Sequence, residues 1–397
     1  MIKPKLWTKN FIIVSTINFF LTMVFYLLIV IMSVYAVNEY HATTSQAGLV
    51  TGIFIIGALI GRLFIGRNIE RIGRKRTLFI GLILFNITTL LYFVHYGIQF
   101  LLINRLLHGI TLGMASTATG TIIAQIIPTS RKGEGIGYYS MSATLATALG
   151  PFIGLYMSQH TSFHMIFTFC LALGIISFIT AFFVNVPAIQ GTLNSIDYRG
   201  FKFSNFIELK AIPIAIITLV VAFCYSSVLS YINSYAIEVD LVQTASFFFL
   251  VYSIAVLISR PFTGRLMDVK GANYIMYPAF ILFTAGMLLL STAHNSIALL
   301  LSGILIGLGF GNMQSCTQAI AIKLTPPHRI GLATSTFFIF LDAGLGFGPY
   351  LLGFIIPFIN YNTLYAALGI VVLVSTILYF LLYGRKEKSL IDAVAHE

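Results

Sequence analysis

The chain has 397 residues, of which 58% are hydrophobic and only 9% charged, with a formal net charge of +11. Soluble domains carry roughly a quarter charged residues, so the composition excludes a soluble globular protein. A net positive charge can signal nucleic-acid binding, but here the placement of the charge along the chain argues for membrane topology instead.

A helix that crosses the bilayer must span about 30 Å, which takes roughly 20 apolar residues. Twelve runs meet that requirement: 11–37, 48–66, 77–94, 98–126, 137–158, 165–185, 213–236, 245–264, 273–292, 297–322, 331–357 and 363–384. The expectation is an all-α membrane protein of twelve transmembrane helices. The first run is too long for a signal-peptide core and lacks a small-residue cleavage site, so it is expected to stay as an anchor.

With the N-terminus inside, Lys3, Lys5 and Lys9 lie on the cytoplasmic side, followed by Arg67, Arg71, Arg74, Lys75 and Arg76. Arg131 and Lys132 come next, then Arg199, Lys202 and Lys210, Arg265 and Lys270, Lys323 and Arg329, and the tail residues Arg385, Lys386 and Lys388. The outer loops, longest at 38–47, 159–164 and 237–244, hold no lysine or arginine. The positive-inside rule therefore predicts a multi-pass cell-membrane protein with both termini cytoplasmic. Only Arg62, Arg105 and Arg260 fall within runs. Cys170, Cys224 and Cys316 lie in apolar runs without CxxC spacing and read as packing residues. No metal site or cofactor is expected. His160 and His164, four apart at an outer loop, read as solvated residues.

A shift of 198 residues brings the two halves into register. Arg62 falls on Arg260, Gly66-Arg67 on Gly264-Arg265, Glu70 on Asp268 and Gly73 on Gly271. Gly109 falls on Gly307, Gly113 on Gly311, Arg131 on Arg329, and Gly150-Pro151 on Gly348-Pro349. The domain reading is a six-helix bundle over 1–186, a polar cytoplasmic linker over 187–212, and a second six-helix bundle over 213–397 with a short cytoplasmic tail. Pairs such as Gly57 with Gly61 and Gly303 with Gly307 have the spacing of helix-packing faces.

Between the second and third runs stands Gly-Arg-Asn-Ile-Glu-Arg-Ile-Gly-Arg-Lys-Arg, from Gly66 to Arg76, which reads as a short cytoplasmic loop. It resembles the loop motif of the major facilitator superfamily, with Glu70 where the family has aspartate. A degenerate copy, Gly264 to Gly271 with Asp268, lacks the basic run. The resemblance implies two pseudo-symmetric six-helix bundles that rock about a mid-membrane substrate site. It also implies a cytoplasmic gate built on Gly66, Glu70, Arg71, Gly73, Arg74, Asp268 and Arg131.

Asp342 is the only carboxylate clearly inside a run, near the midplane of the eleventh. An anion at that depth costs roughly 3 kcal/mol, which makes it the candidate proton carrier; the bland alternative is a hydrogen-bonded structural acid. Asn104-Arg105-Leu106-Leu107-His108-Gly109 resembles the family's second motif, an arginine with glycine four residues on, with His108 where glutamine is common. The resemblance links Arg105 and His108 to proton coupling, although a helix histidine is more often a packed group. Gly150-Pro151 with Gly154, and its repeat Gly348-Pro349, resembles in part the helix-bend motif of antiporters; Ala146 and Leu155 stand where the fuller motif has glycine. In the family the first, seventh and tenth helices line the cavity, so Asn18, Tyr26, Tyr231, Asn312 and Gln314 are the substrate-contact candidates.

These signals predict a secondary transporter that exports a drug or metabolite by proton antiport, resembling the twelve-helix drug–proton antiporters. The alternatives are a proton-coupled importer of the same fold, or a dedicated metallophore or sugar exporter. No HExxH or clustered nucleophile and base supports an enzyme, and a receptor would usually append a soluble domain. The expected partners are a small-molecule substrate, protons and the lipid bilayer, with no nucleic acid, and the chain is expected to act as a monomer.

Overall fold

A computed structural model describes residues 4–186, 205–245 and 247–387, and every regular element among them is helical. Residues 187–204 of the expected linker, with Asp197, Arg199 and Lys202, lie outside the described residues, as do Lys3 and the tail from Lys388.

Among the described residues, twelve long helices follow the twelve runs. They are α1 (Lys9–Tyr40), α2 (Thr44–Ile72), α3 (Arg74–Leu90), α4 (Ile98–Ile126), α5 (Lys132–His160) and α6 (Phe163–Ala181). In the second half they are α7 (Ile212–Glu238), α8 (Phe248–Lys270), α9 (Asn273–Ser291), α10 (Ser296–Lys323), α11 (Ile330–Gly353) and α12 (Tyr361–Leu382). All but α5 are long and apolar enough to cross a membrane. α5 has the length, but it dilutes its apolar side chains with Gly135, Tyr138, Ser140, Ser142, Thr144 and Thr147. Side-chain caps define several starts: Thr43 for α2, Ser162 for α6, Asn295 for α10 and Asn360 for α12 each accept a first-turn N–H, satisfying one of the orphan donors there.

Three expectations need correction. The basic stretch from Gly66 is hardly a loop: α2 continues through Glu70 to Ile72, and α3 begins at Arg74, leaving Gly73 alone between them. Gly73 has φ of 95° and its repeat Gly271 has φ of 98°, a conformation that only glycine adopts cheaply. Once clear of the apolar run, arginine, lysine and glutamate are good helix formers, so the helix extends. The run 297–322 is not a uniform α-helix, because Gly307–Gly311 forms one π-turn inside α10. The run 331–357 stops as a helix at Gly353 and is followed by a 3₁₀ turn, Ile356–Phe358.

The helices gather into two compact units. The first comprises Met1–Pro128, Leu145–Glu208 and Pro327–Thr336; the second comprises Thr129–Thr144, Leu209–Pro326 and Phe337–Glu397. The first 16 or so residues around the start of α5 thus cluster with the second unit, and the start of α11 with the first. Within the first unit, α4 packs on α1, α2 and α3, and α6 on α1 and α3. Within the second, α10 packs on α7, α8 and α9, and α12 on α7 and α9. The same pairs recur at the repeat positions, so the duplication is architectural.

Candidate functional site

The residues expected to form a gate sit where helices of each unit end. In the first unit Glu70 is buried, and Arg74 one turn later grips it, with Nη2 at 2.6 Å from Oε1 and Nε at 3.1 Å from Oε2. Arg74 also donates to Gln125 Oε1 at 2.7 Å and to the Pro327 carbonyl at 2.9 Å. Glu70 Oε1 further accepts from the Gly331 N–H in the first turn of α11, at 3.4 Å. Gly66 lies so close to α11 that an added Cβ would meet Ser335 Cβ at 2.4 Å. The remaining loop cations take other work: Arg67 stacks over Phe206 at 4.6 Å, and Arg71 and Arg76 are exposed.

In the second unit Asp268 accepts from the N–H groups of Gly133 and Glu134, both at 2.8 Å, and from Lys323 Nζ at 2.8 Å. Its carboxylate therefore lies at the start of α5, where the helix dipole favours an anion. Lys323 is the repeat partner of Gln125. The second unit thus answers its acid directly with a lysine, whereas the first uses an arginine braced by a glutamine. Arg131 pairs with Glu134 at 2.8 Å. Its repeat partner Arg329 pairs instead with Glu208 at 2.5 Å, and the Glu208 N–H donates to Thr336 Oγ1. No spacing signal pointed to Glu208, Gln125 or Lys323. The 198-residue offset relates the last two, but only tertiary contact reveals what they hold.

Arg105 and His108 are fully buried in the first unit. Arg105 donates to the Val50 carbonyl at 3.1 Å and to Tyr92 Oη at 3.2 Å, and its guanidinium lies 4.3 Å from the Phe54 ring centroid. Arginine can only donate, so the Tyr92 hydroxyl turns its own proton to His108 Nδ1, 2.9 Å away. That leaves the histidine proton on Nε2, facing Thr89 Oγ1 at 3.4 Å. The rings of Phe54 and Phe85 pack on the imidazole, 5.4 and 4.5 Å away between centroids. This is a packed, hydrogen-bonded histidine.

Asp342 belongs to the second unit, half-buried in the middle of α11. Gly344 and Gly348 press that helix onto α7, where an added Cβ would meet the Leu219 carbonyl at 2.6 Å and Ser226 Oγ at 2.0 Å. In the first unit, Gly150 and Gly154 press α5 onto α1, with Met23 and Leu27 carbonyls 3.1 and 2.8 Å from the added Cβ positions. Both glycine–proline helices thus pack on the first helix of their own half, and Pro151 and Pro349 lie inside them without ending them.

Among the substrate-contact candidates, Tyr231 donates to the Pro349 carbonyl at 2.5 Å. Asn312 is buried, bonded to Ser259, Thr263 and the Leu308 carbonyl. Asn18 is buried and accepts from Thr119 Oγ1 at 3.4 Å, and Tyr26 is half-buried beside Gly150. Gln314 is half-buried, and its side-chain amide meets no hydrogen-bond partner among the described residues. The three cysteines are buried and unpaired.

Two helical units repeating one packing scheme, with ionic ties at the helix ends and a carboxylate at mid-helix, define a multi-pass membrane transporter. The chain belongs to the Major Facilitator Superfamily, whose sequence profile matches residues 14–344 and 241–395. It is 28% identical over 374 residues to an uncharacterised MFS-type transporter, MJ1560, of Methanocaldococcus jannaschii, covering 89% of this chain and 93% of that one. It is 25% identical over 349 residues to multidrug resistance protein 1 of Bacillus subtilis, covering 84% and 87%. To the quinolone resistance protein NorA of Staphylococcus aureus it is 30% identical over 202 residues, about half of each chain. Among solved structures, the human organic anion transporter MFSD10 superposes with a TM-score of 0.78 at 13% identity, covering 96% of this chain and all of that one. The transporter FucP superposes with a TM-score of 0.75 at 15% identity, with the same coverage. These two likenesses concern the fold alone.

Proposed function

We propose that the protein exports a small molecule by proton antiport through alternating access, acting as a monomer in the cell membrane with both termini in the cytoplasm. The observation that carries this reading is Asp342, the one carboxylate among the described residues that is set in the middle of a membrane helix. Likeness to multidrug and quinolone resistance proteins supports export and suggests quinolones for the first substrate panel. In this scheme Asp342 alone carries the proton. Arg105, which keeps its charge, and His108 take no proton in this scheme, and their hydrogen bonds to Tyr92 support a packed, structural part for the pair. Gln314 is the preferred substrate contact, because its amide is open, whereas Tyr231 and Asn312 have theirs occupied.

Transport into proteoliposomes under an imposed pH gradient tests the reading whatever the orientation of the protein. Antiport accumulates cargo when the lumen is the acid side, and symport when the bath is. Accumulation only with an acid bath would overturn export by antiport.

We assign the gate to the helix-end ties, with Asp268 making the tighter of the two. It holds two helix N–H groups and a lysine at 2.8 Å, whereas Glu70 reaches its helix start at 3.4 Å. Asp268→Asn keeps the shape but cannot accept all three bonds. A charge-assisted hydrogen bond contributes roughly 1.5–3 kcal/mol, so the variant is expected to lower the melting temperature by several degrees and cut transport about tenfold or more. Wild-type melting and transport in Asp268→Asn would remove the gate assignment.

A further inference from the structure

We propose that the first unit carries a binding site for an anionic phospholipid where the starts of α1 and α3 meet the end of α6, with Lys9 and Lys75 as its charged walls. This rests on the membrane-spanning fold and not on the direction or coupling of transport. α6 ends at Ala181 and is followed by Phe182 and Phe183, both more than half exposed. Lys9 Nζ lies 5.4 Å from the centroid of the Phe183 ring. Lys75 Nζ lies 5.9 Å from that of Phe79, whose ring meets Phe182 edge-on at 4.8 Å. The Asn185 N–H donates to Asn10 Oδ1 at 3.0 Å and so pins the exit of α6 to the start of α1. Each ammonium group thus lies beside an aromatic ring near the exit of α6.

The charge there has no local purpose. The first turn of α3 carries Arg74, Lys75 and Arg76, its cap Gly73 offers no side chain, and it contains no acid. Cations at the positive end of a helix are unfavourable. Arg74 is answered by Glu70, whereas Lys75, Arg76 and Lys9 pair with no acid among the described residues. A ring face orients an ammonium group without neutralising it, so its N–H donors stay open. A lipid phosphate at Lys75 meets both its charge and the dipole of α3, and Lys9 adds positive charge on the other side of the α6 exit. Below it, α3 and α6 pack side by side and expose Ile80, Ile83, Ile176 and Ile179 to receive the acyl chains. A zwitterionic headgroup brings no net charge, and a free phosphate brings no chains.

The test titrates the purified full-length protein in detergent with phosphatidylglycerol, phosphatidylcholine and glycerol phosphate, followed by native mass spectrometry. Phosphatidylglycerol is expected to bind at least about tenfold more tightly than phosphatidylcholine, and glycerol phosphate should not displace it. Lys9→Gln with Lys75→Gln is expected to lose roughly fivefold for each cation, the weight of one basic side chain near an anionic lipid surface. Lys9→Arg with Lys75→Arg should keep the binding, which separates loss of charge from misfolding. Lys270→Gln with Arg385→Gln makes the same change in net charge without touching the rings that hold Lys9 and Lys75, and should leave the affinity within about twofold. Equal losses in the two glutamine pairs, or equal binding of phosphatidylcholine, would overturn the proposal.

Discussion

Asp342→Asn is expected to abolish accumulation driven by a pH gradient while leaving passive exchange of cargo intact. The argument starts from the membrane. A carboxylate near mid-bilayer is tolerated at a cost of roughly 3 kcal/mol, and Asp342 stands in the centre of α11, with Gly344 and Gly348 holding that helix tightly on α7. Asparagine has the size of the protonated acid but cannot release a proton, so the variant is locked in one protonation state. One proton exchanged for one neutral cargo molecule across two pH units supports a concentration ratio of about a hundred, each unit being worth about 1.4 kcal/mol. In Asp342→Asn that ratio should fall to about one, the level reached without coupling. Asp342→Glu, which keeps the titrating group, should retain part of it. Undiminished gradient-driven accumulation by the asparagine variant would exclude Asp342 as the carrier.

The second large effect concerns folding. Gly57 and Gly61 on α2 face Gly109 and Gly113 on α4, and the helices touch backbone to backbone. A Cβ added at these positions would lie 2.2 Å from the Leu106 carbonyl oxygen, 2.2 Å from Ile110 O, 2.0 Å from Phe54 O and 2.4 Å from Ala58 O. A backbone carbonyl cannot swing aside as a side chain does, so the helices themselves must part. Overpacking in a fitted core typically costs about 1–3 kcal/mol, and parting this pair also disturbs the buried Arg62 bond to Ser116 at 3.1 Å. Gly109→Ala should therefore lower the melting temperature by several degrees, and Gly109→Leu should leave little folded protein in the membrane. Gly52, on the same helix α2, has nothing within 4 Å of its added Cβ. Gly52→Ala should be neutral or stabilising by up to about 1 kcal/mol, because alanine is the better helix former. Equal melting of Gly52→Ala and Gly109→Ala would refute the close-packing account.

The repeat also shows how far position alone carries. Arg62 and Arg260 occupy equivalent places, and both donate to the helix that their own packs against: Arg62 to Ser116 on α4, Arg260 to the Gly311 carbonyl on α10 at 3.1 Å. Arg131 and Arg329 are equally equivalent in sequence, yet one pairs within its own turn and the other reaches Glu208, 121 residues away. Equivalence of position predicts the backbone environment. It does not predict which acid arrives there.

Hydropathy alone pointed to an all-helical membrane bundle, and eleven of its helices among the described residues are long and apolar enough to cross, because in lipid every backbone polar group must be satisfied within its own segment and the segment must be about 20 residues long. The 198-residue register determined the duplication and the paired glycines, arginines and acids. Tertiary structure decided the rest: that Glu70 belongs to Arg74 and the start of α11, that Asp268 caps α5 across 134 and 135 residues, and that Tyr92 holds both Arg105 and His108. The physical reason is that insertion into the bilayer depends on the sum of apolar side chains along a segment. The partner of a polar group depends instead on how each helix is rotated against its neighbours, and close packing sets that rotation only once the bundle has formed.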